Sequence, residues 1–330
     1  MRSRHVEQFV VRTERERHLS VATWLLITQA ILAAAIAPWY GELGLHIAWR
    51  TLAPLLAAYG ALAAIWLYGR YRSRHRRAIL QDVVFATGLM LALGALLSPA
   101  QYVAVALKRP LIDAWLVRAD ALAGIDVGAL AAWTAHHSLV SLVLSACYAT
   151  LLPQFLLPIL VLALWYGDRE GLWEYVFHYQ FCLVLTVATL ALYPAACPPD
   201  FMHFTPTIDQ SRIYAQIHAL RAGTFHTIEF QKLEGLVSMP SFHAAGAMIV
   251  VWAFRRHRRW WMPLAIVNTG LVAATFMSGI HYAVDVAGAA AMFGVSLAAY
   301  QWLAVRVPAP AVAAASPSPV TLAWPRDAES

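Results

Sequence analysis

Two short segments hold residues whose types and spacing could do chemistry. The first is Ser238-Met239-Pro240-Ser241-Phe242-His243-Ala244-Ala245, directly before an apolar run. A proline flanked by serines reads as a helix start that Ser238 or Ser241 caps. His243 then falls in the first turn, where free backbone N–H groups and the positive dipole end favour an anion. A histidine beside an anion can donate a proton to a leaving oxygen. The same residues would also make a plain cap with an interfacial histidine. The second segment is Gly279-Ile280-His281-Tyr282-Ala283-Val284-Asp285-Val286. His281 and Asp285, four apart, share one face of a helix, one turn from each other. A carboxylate on one ring nitrogen fixes the tautomer and leaves the other nitrogen its lone pair. That is a nucleophile with an orienting group. The alternative is a structural His–Asp pair near the headgroups, although ionisable groups at the end of a membrane span are costly and usually functional.

The elements that carry these segments follow from composition. Of 330 residues, 60% are hydrophobic and 13% charged, against about 25% charged in soluble domains. Apolar runs of about 20 residues recur along the chain, the signature of membrane-spanning helices. The expected fold is all-α and polytopic, with about eight spans near 19–38, 50–69, 79–98, 139–166, 174–194, 240–255, 261–277 and 281–304. Residues 100–138 are less uniform and predict helices lying at the interface. A long polar loop covers about 196–238. The domain expectation is a basic cytoplasmic arm over 1–18, a membrane-embedded catalytic domain over 19–304, and a disordered Pro/Ala/Ser-rich tail over 305–330. The arm, with acidic residues among its arginines, does not read as a cleaved signal.

The net charge of +6 sits mostly in arginines between apolar runs, which encodes topology and not nucleic-acid binding. With eight spans, the arm, the 70–77 loop and the 255–259 loop share one side, which the positive-inside rule makes cytoplasmic. Residues 100–138, the long loop, and the starts of the spans carrying His243 and His281 converge on the outer face. Cys147, Cys182 and Cys197 lack metal-ligand spacing, no H-E-x-x-H motif or carboxylate cluster occurs, and no metal or cofactor is expected. His136-His137 stands without a nearby acid or cysteine. His178, Gln180 and Gln154 fall inside spans, where they mark a pathway or bond helix to helix.

Together the two segments resemble the phosphatidic acid phosphatase type 2 superfamily, which carries a P-S-x-H element and, later, an H-x-x-x-D element at helix starts. Here these are Pro240-Ser241-Phe242-His243 and His281 to Asp285. The forms P-S-F-H and H-Y-x-x-D-V look like the branch of inositol phosphorylceramide synthase and its bacterial relatives. Asp113 and Asp120 in LIDAWLVRADALAG, YPAACPP, and LRAG followed by EGLVSMPSFH support that branch over residues 100–300. The resemblance implies a metal-independent enzyme in which His281 attacks phosphorus, Asp285 orients it and His243 protonates the departing oxygen. The phosphohistidine would pass its phosphoryl group to water or an alcohol.

The chain departs from the superfamily pattern at three positions. Phe242 stands for the usual glycine, Thr275 for an arginine and Tyr102 for a lysine. Phosphoryl oxygens need positive donors, and the outer-face candidates are Lys108, Arg109, Arg212, Arg221 and Lys232, beside Ser241 at the helix start. Arg221 comes first, from the LRAG segment, and Arg109 second, each against the alternative of a cation facing solvent or headgroups. The expected function is hydrolysis of a lipid phosphate at the outer face of a bacterial inner membrane. A phosphotransferase moving an inositol-phosphate-like headgroup onto a lipid or polyol alcohol is the alternative, and a non-enzymatic transporter or scaffold a further one. The partners are the bilayer and a lipid phosphate; no nucleic acid and no oligomeric state is implied.

Overall fold

The computed structural model describes residues 2–306, with side chains from Val21 onward except at 74, 75 and 304–306. Of the expected tail, residues 307–330 lie outside the described residues. The chain runs α1 (Arg2–Glu42), β1 (His46–Ile47), α2 (Ala53–Gly69), α3 (Arg74–Ala106), α4 (Asp113–Leu122), α5 (Val127–His136), α6 (Ser138–Ala149), α7 (Leu151–Gln154) and α8 (Leu157–Leu160). A π-helical turn, Val161–Tyr166, leads to α9 (Arg169–Leu192), α10 (Pro198–Met202), α11 (Ser211–Ala222), β2 (Thr227–Ile228), α12 (Phe242–Ala253), α13 (Arg258–Met277) and α14 (Ala283–Arg306).

The protein is an all-α integral membrane protein. Among the described residues six stretches are long and apolar enough to cross a membrane, Val21–Glu42, Trp49–Gly69, Arg76–Ala106, Arg169–Leu192, Arg258–Met277 and Ala283–Leu303, or seven if the bent pair Val127–His136 and Ser138–Gln154 is one span. Two of the eight expected spans differ. The expected 139–166 span is broken into α6, α7, α8 and the π turn, because Pro153 and Pro158 remove helix N–H donors. It also continues from α5 through a bend of 112°. The expected 240–255 span is α12, only 12 residues long, or about 18 Å at ~1.5 Å per residue, against a hydrocarbon core of roughly 30 Å. Non-helical backbone before it is tolerated where protein surrounds it; Ser238, Pro240 and Ser241 are all buried. A further correction concerns residues 100–106, expected at the interface, which continue α3 as a crossing helix.

Hydrogen bonds sort the connections into two ends. At one end β1 pairs in parallel with β2, His46 opposite Thr227 and Ile47 opposite Ile228. This ties the α1–α2 connection to the long loop. At the same end Ile112 N–H donates to the Pro194 carbonyl at 2.9 Å, and Thr207 N–H to the Ser278 carbonyl at 3.1 Å. At the other end Asp168 meets His257 at 3.3 Å, and Asp82 pairs with Arg169.

The core forms around α9, in which every residue from Gly171 to His178 is buried. Small residues bring the helices close: a side chain at Gly246 would meet the Phe155 ring at 2.8 Å, and one at Gly270 the Cys147 sulfur at 2.8 Å. The polar residues inside the spans bond helix to helix. Gln29 donates to Gln180 at 2.9 Å, Asn268 donates to Gln154 at 2.7 Å, and His178 Nδ1 meets Ser296 Oγ at 2.7 Å. Glu174 accepts from Trp252 at 2.9 Å and from Arg255 at 2.7 Å.

Candidate active site

The site is built where α12 and α14 begin. Ser241, and not Ser238, caps α12: its Oγ accepts from Ala244 N–H at 3.3 Å. That places His243 in the first turn. Before α14, Gly279 turns the chain at φ +78°, and a Cβ there would lie 2.5 Å from the Phe204 ring and 2.9 Å from Ala131 Cβ. Both the backbone conformation and the space require glycine. His281 N–H then bonds the Thr275 carbonyl at 2.9 Å, and Asp285 lies in the first turn of α14.

His281 Nδ1 lies 3.0 Å from the Ser238 carbonyl and 3.2 Å from Asp285 Oδ2. Both partners are acceptors, so Nδ1 carries the hydrogen and Nε2 keeps its lone pair; the tautomer is assigned from these contacts. Asp285 Oδ2 also accepts from Ser238 Oγ at 2.9 Å and from Tyr282 N–H at 3.0 Å. Asp285 Oδ1 is buried and has no hydrogen-bond partner among the described residues. Ser241 N–H donates to the Asp285 backbone carbonyl at 3.2 Å, tying the two helix starts together. The His243 ring centroid is 6.0 Å from that of His281. His243 stacks on Tyr148 at 4.4 Å, and the Tyr148 hydroxyl lies 3.4 Å from His243 Nδ1. Sequence reasoning missed Tyr148, which carries no motif and comes from α6.

Two buried carboxylates of α4 reach the same place. Asp113 accepts from Ala196 N–H at 2.9 and 3.0 Å and from the Tyr282 hydroxyl at 2.8 Å. Asp120 accepts from Ala283 N–H at 2.9 Å and Val284 N–H at 2.8 Å. Burial pushes both carboxyls above the usual carboxylate range, and the charge of Asp285 adds to the effect at Asp120.

The expected cations divide. Arg212 pairs with Glu234 at 3.2 Å and Lys232 with Glu229 at 2.9 Å. Arg221 donates to the Arg109 carbonyl at 3.0 Å, and Lys108 Nζ lies 3.3 Å from where a Cβ at Gly223 would sit. Lys108, Arg109 and Arg221 thus gather at the end of the molecule that carries the histidines. Tyr102, at the position of the superfamily lysine, is buried and donates to Gln216 at 2.5 Å. Thr275, at the position of the arginine, is buried and bonds its own helix at 2.7 Å. Nδ1 of His136 and of His137 each meets the backbone carbonyl four residues earlier at 2.7 Å. Among the described residues no group of three or more His, Cys, Asp or Glu side chains is arranged to hold a metal ion.

The two histidines thus lie near one another at two helix starts of a membrane protein. A family model described as the PAP2 superfamily matches residues 114–299, from α4 to α14, and the chain belongs to that superfamily. Its members are generally phosphatases or phosphotransferases. No curated protein and no solved structure matches the chain.

Proposed function

We propose that this protein is a lipid-phosphate phosphatase working through a phosphohistidine, without a metal, at the outer face of a bacterial inner membrane. The observation that carries the reading is His281 Nδ1 held between the Ser238 carbonyl and Asp285 Oδ2, at 3.0 and 3.2 Å, with His243 beside it. His281 Nε2 attacks phosphorus, and the bond from phosphorus to the ester oxygen breaks. The leaving oxygen takes the electron pair and receives a proton from His243. Asp285 offsets the positive charge that develops on His281. Water then attacks the phosphohistidine, its proton passes to His243, the P–N bond breaks, and His281 is restored. The phosphate oxygens face the start of α12, whose first N–H groups are unused by the helix. Lys108, Arg109 and Arg221, with Ser241, are the proposed phosphate-binding set. The outer location rests on Arg70, Arg72, Arg255, Arg256 and Arg259, which mark the opposite end as cytoplasmic.

A second reading, transfer of a phospho-headgroup to a lipid or polyol alcohol, is favoured by the burial of the dyad. His281 is 5% exposed and Asp285 0%, which restricts water as the acceptor. The test is phosphate release by the detergent-solubilised chain from a panel of lipid phosphates, with chelator present. Release that persists with chelator and vanishes in His281→Ala supports the phosphatase. No release by a chain that binds vanadate, with binding lost in His281→Ala, favours the transferase. A chain that neither releases phosphate nor binds vanadate is neither.

A further inference from the structure

Burying a carboxylate is costly unless hydrogen bonds hold it, and α4 buries two of them. Asp113 and Asp120, seven residues apart, lie on one face of this 10-residue helix. Their exposures are 0% and 4%. Neither contacts a cation among the described residues, and every donor they meet is a neutral backbone or hydroxyl group. Three of those donors, on Tyr282, Ala283 and Val284, belong to the residues that follow His281.

Asp120 takes the N–H groups of Ala283 and Val284, the first two residues of α14, at 2.9 and 2.8 Å. These are donors that a helix cannot satisfy for itself. The cap is thus supplied by another helix, and it sets where α14 begins relative to α4. Asp113 takes the hydroxyl of Tyr282, the residue after His281, at 2.8 Å. With its remaining capacity it holds Ala196 N–H. The next residue, Cys197, sits at φ +90°, a conformation that a non-glycine residue keeps only when its surroundings dictate it. Within α14, Asp285 reaches back to Tyr282 N–H at 3.0 Å. His281 is therefore followed by three residues whose backbone or side-chain donors end on carboxylates.

We propose that Asp113 and Asp120 are positioning residues that set the orientation and reactivity of the His281 ring by clamping the start of α14 to α4. The proposal rests on the catalytic reading above for its effect on turnover, and on geometry alone for its effect on the ring. Loss of the clamp leaves substrate contacts in place and spoils the line of attack, so kcat falls and KM holds.

The experiment uses full-length protein in detergent, with wild type compared with Asp120→Ala, Asp120→Asn and Tyr282→Phe. Two readouts are taken: kcat and KM on the lipid phosphate that wild type hydrolyses best, and the rate at which diethylpyrocarbonate modifies His281, read by peptide mass. Asp120→Ala is expected to lower kcat about 100-fold with KM within threefold, and to speed His281 modification several-fold. Asp120→Asn keeps one acceptor oxygen and recovers part of both effects. Tyr282→Phe, which frees α14 from Asp113, moves both readouts in the direction of Asp120→Ala. A folded Asp120→Ala protein with wild-type kcat and an unchanged modification rate overturns the proposal; so does a raised KM at constant kcat, which would make Asp120 a substrate contact. If Asp120→Ala does not fold, Asp120→Asn decides by the same criteria. If wild type hydrolyses no lipid phosphate, the phosphatase reading fails, while the modification rates still decide whether α4 controls the ring.

Discussion

Replacing Asp285 by asparagine removes a negative charge and keeps the side-chain shape. Oδ2 of Asp285 receives three donors: Ser238 Oγ at 2.9 Å, Tyr282 N–H at 3.0 Å and His281 Nδ1 at 3.2 Å. Asparagine can face its carbonyl oxygen to these donors, which puts its NH2 where Oδ1 stood, buried and without a partner. The flipped amide would confront three donors with a fourth and is worse. The unsatisfied NH2 costs about 1–3 kcal/mol of stability. The His281 tautomer survives, because the Ser238 carbonyl still accepts from Nδ1 at 3.0 Å. What is lost is the anion that stabilises the charged ring in the transition state. A hydrogen bond to a charged group is worth roughly 1.5–3 kcal/mol. At ~1.4 kcal/mol per tenfold, turnover should fall about 10- to 100-fold. This is less than the roughly 10⁴-fold loss seen where the tautomer itself is reversed. The assay is phosphate release in detergent, paired with a thermal unfolding curve. A folded Asp285→Asn protein that turns over within threefold of wild type would remove Asp285 from the mechanism. A loss of 10⁴-fold would show that the Ser238 carbonyl does not hold the tautomer.

Gly279→Ala should destabilise the protein by a few kcal/mol and abolish activity, since it forces a side chain to 2.5 Å from Phe204 at φ +78°; thermal unfolding with and without vanadate checks this, and an active variant with wild-type stability would show that the turn can move. Activity should fall as pH rises from 4 to 9, because His243 must be protonated, and burial, with His281 beside it, holds its imidazole well below the ordinary value, at about 3. His243→Ala should lose this fall along with most of the rate, and a wild-type profile that is flat from pH 4 to 9 with chemistry rate-limiting would contradict the two-histidine roles.

The local part of this protein was legible in its residues. Apolar run length gave the membrane class and six of the eight expected spans, because crossing a bilayer is a demand on each helix separately. The same holds for the catalytic motifs: a proline-serine helix start and a four-residue His–Asp spacing are set by one turn of backbone. The other two expected spans are a bent one, over 139–166, and a short helix, α12. α12 is buried among its neighbours, with Phe155 against Gly246, so packing and not length supports it; the α6–α8 segment is bent by its two prolines.

Contacts between distant segments were decided only by the tertiary structure. Nothing within the chain's local pattern joins Tyr148 to His243, 95 residues on, or Asp120 to Val284, 164 residues on. It also chose Ser241 as the cap and sent Ser238 to Asp285, two roles that the motif left open. Sequence periodicity specifies which face a residue occupies on its own helix. Which face of another helix it meets depends on how all the helices pack, and that is a property of the whole bundle.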